Sequence, residues 1–551
     1  MPVRHDRLPL MTGNLRTLDV DQGTKISDVL KAFESGNQDL LLIDENTVVT
    51  KPHLELLTDY PRTVTTALVS KIKNGETRVS QGRITGASSG YHEVGHGNHT
   101  FLGIIRLSQS QKQEIVEVLS KVENTSHSGN TIDLILVALV RAAVVVAPAE
   151  VAGAPFIRSS NPSERQITQN QIAALRDARL RLKLANRAND GFYSVFFLRK
   201  ISKLFTWLAV RLKMTPNQVT LISFAVGLLS AYQFSKGNFW AIFIGAVLLQ
   251  LSIIIDCVDG ELARYTRQFS QLGAWLDAIT DRIKEYLVFF ALAYGAAKSG
   301  RDLWIPALGM MLLQTFRHLS DYNFARINKI RSSHLEPLDF NLKNDGYVSV
   351  EHEKKSRWEY WSKKAVQFPI GERWLVISAS SVIGGAAFTF TIMPILALIS
   401  IALVFRGRVK KTMTWPKNRV NNNLIDDQLD SINSKNLTNR FDWLTPSLLR
   451  LLEGAIVIEL AFVTDLDQSV IFLLLFAILF NHYDNMYRAL QNERKPIWLS
   501  VAGGFVFGRL LIIALWIWMG WSLTILVYYF SVLFFVISSV QWILSRKTKV
   551  N

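Results

Sequence analysis

Long apolar segments follow one another from residue 217 to the end of the chain, and they constrain the fold more than any other feature. Ten of them approach the roughly 17–25 residues that an α-helix needs to cross a bilayer. They lie near residues 217–235, 238–257, 273–298, 303–326, 373–389, 391–406, 446–463, 468–487, 497–519 and 521–544. Hydrophobic residues make up 49% of the chain, which is high for a soluble protein. We therefore expect a mainly α-helical polytopic membrane protein.

The net charge of +16 is unevenly distributed between these segments. Lys and Arg cluster before the first segment, after the fourth, sixth and eighth, and in the tail. Because cytoplasmic loops carry such an excess, this pattern predicts an even number of spans with both termini in the cytoplasm. The first 17 residues contain no apolar signal core, which fits that location. No recognised nucleic-acid motif accompanies the charge, so we expect membrane lipids as partners and no nucleic acid.

The region before the apolar segments has a different pattern. Short apolar runs at Asp39–Ile43 and Val144–Pro148 predict buried strands, and they alternate with predicted helices at Gln111–Val122 and Thr131–Ala142. This alternation is typical of a soluble α/β domain. A charged helix over Thr168–Arg187 is expected to link it to the membrane part. The predicted domains are a soluble α/β domain at 1–190, a membrane domain at 191–410 and a second membrane domain of unknown role at 411–551.

Four aspartates lie where one apolar segment ends and the next begins. Asp256 and Asp259 are three residues apart, and Asp277 and Asp281 are four apart, so each pair shares a helix face. Charged residues inside membrane segments are costly and usually functional. A divalent cation would relieve the repulsion, and hard oxygen ligands suit Mg²⁺ or Mn²⁺. Pairing with nearby arginines is the alternative, and it suits one or two carboxylates better than four.

Small and cationic residues surround the aspartates. Gly260 and Ala263 allow close approach of a helix or a substrate to the backbone. Arg264 can pair with a phosphate. Gly273 lies where the chain re-enters the membrane and allows a tight approach.

The single cysteine, Cys257, excludes an intrachain disulfide and a cysteine metal cluster.

These residues spell Asp256-x2-Asp259-Gly260-x2-Ala263-Arg264-x8-Gly273-x3-Asp277-x3-Asp281. The stretch resembles, at every defined position, the signature of the CDP-alcohol phosphotransferase family. That family has a six-helix membrane core, which is similar to the first six segments here. The resemblance implies that an alcohol displaces CMP from a CDP-linked lipid.

The resemblance also implies roles for single residues. Asp256, Asp259 and Asp277 would bind metal, and Asp281 would take the proton from the attacking hydroxyl and also touch the metal. The residues that would line the CDP site are Gly260, Ala263, Arg264 and Gly273. Asn217 and Thr220 lie in a similar entry to the first span and would reach the nucleotide, but a helix start with Pro216 in its first turn explains them equally well.

A phosphorylated acceptor would need cations near Asp281. The candidates for an acceptor site are Arg282, Lys284, Arg317, His318, Arg326 and Arg373. Each of them alone also fits an interface residue whose charged end reaches the membrane surface. Glu285 and Asp321 are alternative ion-pair partners for them.

The N-terminal region resembles a shortened sugar-phosphate nucleotidyltransferase domain, through Leu40–Leu57, Thr100–Arg106 and Thr131–Pro155. It departs from that pattern because it lacks a Gly-rich triphosphate loop before Asp39. The stretch where an aspartate pair is expected reads Pro-Phe-Ile-Arg-Ser-Ser at 155–160, so Asp44 lacks a partner carboxylate. We therefore expect this domain to be inactive. Three histidines in a Gly-rich loop, His92, His96 and His99, have spacings that could serve zinc, without geometric support from a regular element.

The leading hypothesis is an integral membrane transferase that uses CDP-diacylglycerol and an inositol phosphate or similar phosphorylated polyol, and releases CMP in phospholipid synthesis. It would be a bacterial plasma-membrane protein with a cytoplasmic active site, and a homodimer is compatible with the resemblance. The first alternative is a non-enzymatic lipid transporter or binding scaffold, motivated by the extra spans. The second alternative is a nucleotidyltransferase that acts from the N-terminal domain.

Overall fold

The computed structural model describes residues 15–333 apart from 59–63, 81, 89–93, 95–96, 124–129, 152, 176 and 186–190, then 362, 365–413, 415, 420–421, 436–437, 440–463, 467–490 and 495–550. Contacts divide the chain into two compact units, one of residues 1–186 with 332–353 and the other of residues 187–331 with 354–551. The first unit is an α/β domain, and the second is almost wholly helical.

The first unit is built on a mixed β-sheet. Its strands are β1 (Leu15–Val20), β2 (Asp39–Asp44), β3 (Thr47–Val48), β4 (Thr65–Gly75), β5 (Thr77–Ser80), β6 (Arg83–Ala87), β7 (Gly97–Leu107), β8 (Val146–Glu150) and β9 (Ile157–Arg158). Its helices are α1 (Ile26–Glu34), α2 (Lys51–Glu55), α3 (Lys112–Val122), α4 (Thr131–Arg141), α5 (Pro162–Ala173) and α6 (Asp177–Leu184). The main sheet has the order β1-β2-β7-β4-β8, and only the β1–β2 and β4–β8 pairs on this path are parallel.

Strand β2 is apolar along its whole length because both of its faces are covered. Leu40 and Leu42 lie in a core with residues of α1, α3 and α4. Leu41 and Ile43 lie in a second core against the opposite face of the sheet. Strands alternate their side chains between two faces, so an uninterrupted apolar run predicts a strand buried on both sides.

The predicted α/β layering is confirmed, with the named strands and helices within two residues of their expected bounds. The predicted single helix over Thr168–Arg187 is wrong, because two helices, α5 and α6, cover this region. Helix α5 begins earlier, at Pro162, because the Asn161 side chain caps it by accepting a hydrogen bond from Ser163 N at 3.0 Å. Asn161 and Pro162 together form a helix-start signal that the sequence interpretation overlooked.

The histidine loop is only partly described. His92 and His96 lie outside the described residues. His99 is buried on β7, where its Nε2 lies 3.2 Å from Glu150 Oε1 and its Nδ1 lies 2.7 Å from Asn98 Oδ1.

A buried ion network closes one end of the β2 strand. Arg158 Nε donates a hydrogen bond to Asp44 Oδ2 at 2.7 Å, and its two terminal nitrogens donate to the Asp133 carboxylate at 2.8 and 2.9 Å. Asn130 also donates to Asp44, at 2.8 Å. Burial lowers the pKa of Arg158, but the hydrogen bonds and charges of Asp133 and Asp44 more than offset this, so the net shift is upward. At Gly103, with φ of +70°, a Cβ atom would lie 2.7 Å from Arg158 Nε.

The second unit consists of helices in chain order. A π-helical turn at Ser194–Leu198 leads into α7 (Arg199–Arg211). The helices that follow are α8 (Pro216–Phe234), α9 (Phe239–Thr266), α10 (Gln271–Lys298), α11 (Trp304–Ser333), α12 (Ile370–Met413), α13 (Thr445–Val463), α14 (Gln468–Leu490), α15 (Ile497–Ala502), α16 (Phe505–Trp518), α17 (Leu523–Ser531) and α18 (Ser538–Val550). A π-helical turn at Val532–Ile537 connects the last two helices, so that they continue each other.

Large apolar side chains cover the outside of this unit, for example Trp240 at 71% and Ile383 at 77% exposure. Exposed apolar patches of this extent are unfavourable in water and fit a bilayer. By length and composition, four stretches of the described residues could cross a membrane: Phe239–Thr266, Ile370–Met413, Gln468–Leu490 and Leu523–Ser545. The protein is an integral membrane protein, mainly helical as predicted.

Two helix breaks lie at positions that differ from the predicted boundaries of the spans. The predicted boundary between 373–389 and 391–406 is wrong, because α12 breaks at Gly385, which has φ of +71°. Glycine adopts this conformation without a steric cost, so it sets the break. The predicted span 497–519 is also divided, since Gly504 adopts φ of +72° between α15 and α16.

The Arg158 network predicts a stability effect that a surface pair does not have. We expect Arg158→Met to lower the free energy of unfolding of the first unit by about 3 kcal/mol, because Asp44 would stay buried without a cation. Amide hydrogen exchange of the intact protein, followed in peptides from β2 and α4, measures this loss. Lys121→Met is the matched control, since the exposed Lys121–Glu117 pair stabilises by less than about 1 kcal/mol. Equal protection in both variants would contradict the prediction.

Candidate functional site

Local capping signals place the helices that carry the aspartates. Thr215 and Gln218 form a reciprocal cap at the start of α8, in which Gln218 N donates to Thr215 Oγ1 at 3.3 Å and Thr215 N donates to Gln218 Oε1 at 2.9 Å. Helix α9 ends at Thr266, and the residue that caps it, Arg267, has φ of 61°. Ser270 caps α10 by accepting from Gly273 N at 2.9 Å. Only a few residues therefore separate the end of α9 from the start of α10.

The acidic residues converge in space. Carboxylate oxygens of Asp256, Asp259 and Asp277 all lie within 4.8 Å of one another. Asp281 lies one turn beyond Asp277 on α10 and lines the same cavity. Hence the two helix faces that the spacing predicted do meet.

Lys284 is part of this cluster and is fully buried. Its Nζ lies 2.6 Å from Asp256 Oδ1 and 3.0 Å from Asp281 Oδ1, and it donates to Ser223 Oγ at 3.0 Å. The ammonium group also lies 5.2 Å from the centre of the Trp374 ring. Lys284, named from the sequence as an acceptor residue, therefore neutralises part of the charge of the aspartates themselves. Ser223, which also donates to Asp256 at 3.1 Å, was not recognised from the sequence.

Helix α8 holds the cluster from the other side. Thr220 Oγ1 donates to Asp259 Oδ2 at 2.6 Å, so Thr220 orients a carboxylate in this structure. Asn217 lies against α10, and a Cβ atom at Gly273 would lie only 2.7 Å from Asn217 Oδ1. The glycine therefore allows α8 and α10 to approach each other closely.

A cavity of about 370 Å³ opens at this cluster. All four aspartates, Gly260 and Arg264 line it, together with residues of the segments 191–199 and 367–371. The Arg264 guanidinium lies over Gly260, 3.2 Å from where a Cβ atom would stand. Ala263, Gly273, Asn217 and Thr220 are not among the described lining residues, so the predicted CDP-site residues are only partly brought together.

Arg199 also lines this cavity, although from the sequence it served only as a loop charge. Its Nη1 donates to Glu261 Oε1 at 2.8 Å, and Ser202 and Thr206 donate to the same carboxylate at 2.8 and 2.6 Å. Glu261 is 1% exposed. This buried pair fastens α7 to α9 beside the aspartates and keeps a fifth carboxylate away from them.

Glu285 organises the cations expected at the acceptor side. It is fully buried, and Arg373 donates to both of its oxygens at 2.8 and 3.1 Å, while Arg282 donates at 3.0 Å. Arg282 also contacts the His318 ring, at 3.2 Å. Arg282, His318 and Arg373 therefore form one group around Glu285, next to Asp281 in sequence.

The other acceptor candidates lie in different surroundings. Arg317 donates to the backbone carbonyl of Gln367, and Arg326 donates to Tyr322 Oη at 3.0 Å. Asp321 pairs with Arg408. The structure does not give Arg317 or Arg326 a contact with Glu285 among the hydrogen bonds and ion pairs of the described residues.

Buried charges also pair within the last helices. Glu453 accepts from His482 Nε2 at 2.8 Å and from Arg509 Nε at 2.9 Å. Asp484 accepts from Arg488 at 3.0 Å. The Arg509–Glu453 and Arg488–Asp484 contacts are ion pairs, and they give both buried carboxylates a cationic partner.

The donor set fits a divalent cation. Three carboxylates converge within 4.8 Å, and their oxygens are the hard ligands that Mg²⁺ and Mn²⁺ prefer. One lysine cannot balance four aspartates, so negative charge remains at the cluster. The cavity beside it is large enough to take a polar substrate group.

The fold and this site together define a polytopic membrane protein with an acidic metal-type centre. Residues 213–342 match the family model described as CDP-alcohol phosphatidyltransferase. Residues 374–551 match a family of unknown function. The chain therefore carries a CDP-alcohol phosphatidyltransferase domain, which belongs to a family of membrane transferases, as the aspartate signature predicted.

Several curated proteins are similar to part of this chain. A bifunctional IPC transferase and DIPP synthase of Archaeoglobus fulgidus is 37% identical over 146 residues, which is 25% of this chain and 29% of the relative. An archaetidylinositol phosphate synthase of Pyrococcus horikoshii is 34% identical over 22% of this chain and 60% of its own length. A phosphatidylinositol phosphate synthase of Streptomyces avermitilis is 29% identical over 24% of this chain and 54% of its own.

A solved structure is similar to part of the chain as well. The inositol-1-phosphate CTP transferase of T. maritima has 12% identity and a TM-score of 0.21, over 30% of this chain and 79% of that one. A likeness at this score carries no argument about chemistry. None of the three curated relatives is covered over two thirds of its own length.

The close approach at Gly273 gives a testable expectation. We expect Gly273→Ala to lower the melting temperature in detergent and weaken Mn²⁺ binding, because a Cβ atom would displace the Asn217 side chain of α8 and the Ser270 side chain that caps α10. Thermal unfolding and a Mn²⁺ titration measure both effects. Gly309→Ala on α11 is the control, since no atom lies within 4 Å of its Cβ position. A Gly273→Ala protein that behaves like the Gly309→Ala protein would refute this role.

Proposed function

We propose that the chain transfers the phosphatidyl group of CDP-diacylglycerol to an inositol phosphate and releases CMP. The observation that carries the proposal is the convergence of Asp256, Asp259 and Asp277 beside a cavity lined by Asp281 and Arg264. The printed names of the relatives support an inositol phosphate as the acceptor. The diacylglycerol part of the donor agrees with the phosphatidyl product in the name of the Streptomyces relative.

Asp281 is the proposed base. Its Oδ1 lies 3.0 Å from Lys284 Nζ, and no described residue donates a well-directed hydrogen bond to this oxygen. Asp281 lines the cavity, and this oxygen keeps a lone pair that can accept the proton of an acceptor hydroxyl. The acceptor hydroxyl gives its proton to Asp281 as its oxygen bonds to the lipid-side phosphorus. The bond from this phosphorus to the bridging oxygen breaks, and CMP leaves with that oxygen.

The proposed metal is Mg²⁺ or Mn²⁺, held by Asp256, Asp259 and Asp277, with Asp281 within reach. When bound, it would neutralise the charge of the pyrophosphate as the phosphoryl group is transferred. Gly260 keeps the backbone open beside this position, and Arg264 supplies a guanidinium that can bind a phosphate oxygen. Ala263, Gly273, Asn217 and Thr220 remain proposed members of the donor side, and two of them support the cluster through α8.

The acceptor side is proposed at Arg282, His318 and Arg373 around Glu285. Arg282 follows Asp281 in the chain, and the guanidinium groups of Arg282 and Arg373 could bind a phosphate on the acceptor. Lys284 contributes from within the aspartate cluster, whereas Arg317 and Arg326 are proposed at the margin of the site. If Arg317 and Arg326 are instead interface residues, as the sequence also allows, their substitution should not change the affinity for the acceptor.

The first unit is proposed to be inactive as a nucleotidyltransferase. The Arg158 guanidinium pairs with Asp44. Hydrogen bonds from Arg158 and Asn130 satisfy the Asp44 carboxylate. A cation supplied by the protein leaves Asp44 unsuited to binding a metal. Turnover of CTP by the intact protein, lost in Asp44→Asn, would overturn this proposal.

We further propose that the active site and both termini face the cytoplasm of a bacterial plasma membrane, and that the protein forms a homodimer. The clustered loop cations support the orientation. Cysteine accessibility labelling from each side of the membrane tests it, and size measurement in detergent tests the dimer.

The purified protein is expected to release CMP from CDP-diacylglycerol when Mn²⁺ and inositol 1-phosphate are both present. Mass spectrometry should detect a phosphatidylinositol phosphate, and chelation should abolish its formation. Unphosphorylated inositol is the matched acceptor control, and it should react at a rate at least about tenfold lower, because it lacks the charge-assisted bonds to the arginines. Donor binding without CMP release would instead support the transporter or scaffold hypothesis.

Asp281→Asn is expected to reduce kcat by a factor of about 10²–10⁴, because an amide cannot take the proton of the acceptor. The Km for CDP-diacylglycerol should change little, since the amide keeps the size of the side chain. Asp302→Asn is the matched control, because among the described residues Asp302 accepts a hydrogen bond from Trp304 N at the start of α11, a bond that Asn retains. Turnover of the Asp281→Asn protein at the control rate would remove Asp281 from the base role.

A further inference from the structure

The helix that carries Asp277 and Asp281 has a second polar face. Successive residues on an α-helix are rotated by about 100°, so positions seven apart nearly coincide. Trp275 and Arg282 therefore share a face, which lies about 100–160° around α10 from the two aspartates. The aspartates point into the cavity, and the second face packs on α14.

One contact between α10 and α14 lies two residues before Asp277. Trp275 Nε1 donates to Asp484 Oδ1 at 3.2 Å, and the Trp275 ring stacks on Trp542 of α18 at 4.9 Å. Asp484 is fully buried and is itself held by Arg488 at 3.0 Å and by Ser538 Oγ at 2.6 Å. The acceptor of the indole hydrogen bond is therefore fixed by α14 and α18.

A second contact between α10 and α14 lies after Asp281. Tyr286 Oη of α10 lies 3.0 Å from Tyr483 Oη, and the Arg282 guanidinium lies 6.0 Å from the centre of the Tyr483 ring. His318 Nδ1, on α11, lies 2.9 Å from the same Tyr483 hydroxyl. Tyr483 is 1% exposed, so few other hydrogen-bond partners are available to these polar atoms.

We propose that α14, which belongs to the region of unknown family function, positions α10 and thereby sets the spacing of Asp277 and Asp281 from the aspartates of α9. The two contacts enclose the aspartate pair along α10, and both originate on α14. Trp275 and Tyr483 act through the helix and are positioning residues. The inference rests on the metal site of the proposed function.

The contacts between α10 and α14 do more than pack the two helices together, because they fix the orientation of α10. Apolar contacts such as Tyr286 with Phe476 hold the helices together without fixing rotation about the helix axis. Directed hydrogen bonds at Trp275 and at Tyr483 fix that rotation at two heights. A small rotation of α10 would move both of its carboxylates relative to Asp256 and Asp259.

The test uses the double variant Trp275→Phe/Tyr483→Phe in the intact purified protein. It keeps an aromatic ring at both positions, with a smaller ring at position 275, and removes the indole N–H and the phenolic hydroxyl. We expect the affinity for Mn²⁺ to fall by about tenfold, which is typical when a group that supports metal ligands is removed. Electron paramagnetic resonance of the free ion measures this affinity. The kcat for CMP release should fall, while the Km for the donor stays within about twofold of the unmodified protein, because the nucleotide-side contacts are unchanged.

The control is Trp516→Phe/Tyr529→Phe, which makes the same chemical changes on α16 and α17, where both side chains are less buried than Trp275 and Tyr483. It removes the bonds from Trp516 Nε1 to Ser522 O at 3.1 Å and from Tyr529 Oη to Ala502 O at 2.7 Å. The inference is overturned if Mn²⁺ affinity is unchanged in the first variant or falls equally in the control. An unmodified protein that binds Mn²⁺ but forms no CMP defeats the proposed reaction alone, whereas one that binds no Mn²⁺ defeats both.

Discussion

Repulsion between carboxylates is the interaction on which the membrane unit depends. Oxygens of Asp256, Asp259 and Asp277 lie within 4.8 Å of one another, and Lys284 supplies a single buried cation. Like charges at this separation are costly away from water, so the helices need strong contacts to hold them there. Those contacts come from Thr220 and Ser223 on α8, and from the polar face of α10 directed at α14.

The central residues of this site could be predicted from the sequence, because they are specified by the spacing of residues close together in the chain. Spacings of three and four residues place carboxylates on one helix face, and a short turn brings two such faces together. Hence Asp256, Asp259, Asp277 and Asp281 could be identified as a group. The strand at Asp39–Ile43 was equally predictable, since a short, uninterrupted apolar run indicates burial on both faces.

Contacts between distant segments could not be predicted from spacing. Lys284 was expected at the acceptor and instead contacts Asp256, because its direction depends on how α8 packs against α10. Arg199 was counted as a loop charge, yet it neutralises Glu261, 62 residues away. The break in α12 was misplaced because a glycine within an apolar run carries no sign of its φ angle until neighbouring helices are known.

The Arg158 network in the first unit has a consequence for the order in which the chain matures. Its central carboxylate, Asp44, is neutralised by a cation from the same polypeptide, so this unit needs no metal to complete its core. Residues 15–185 leave the ribosome before the helices of the membrane unit, and domains generally fold as they emerge. The first unit can therefore reach its final structure while the aspartate helices are still being inserted, independently of the supply of divalent ions in the cell.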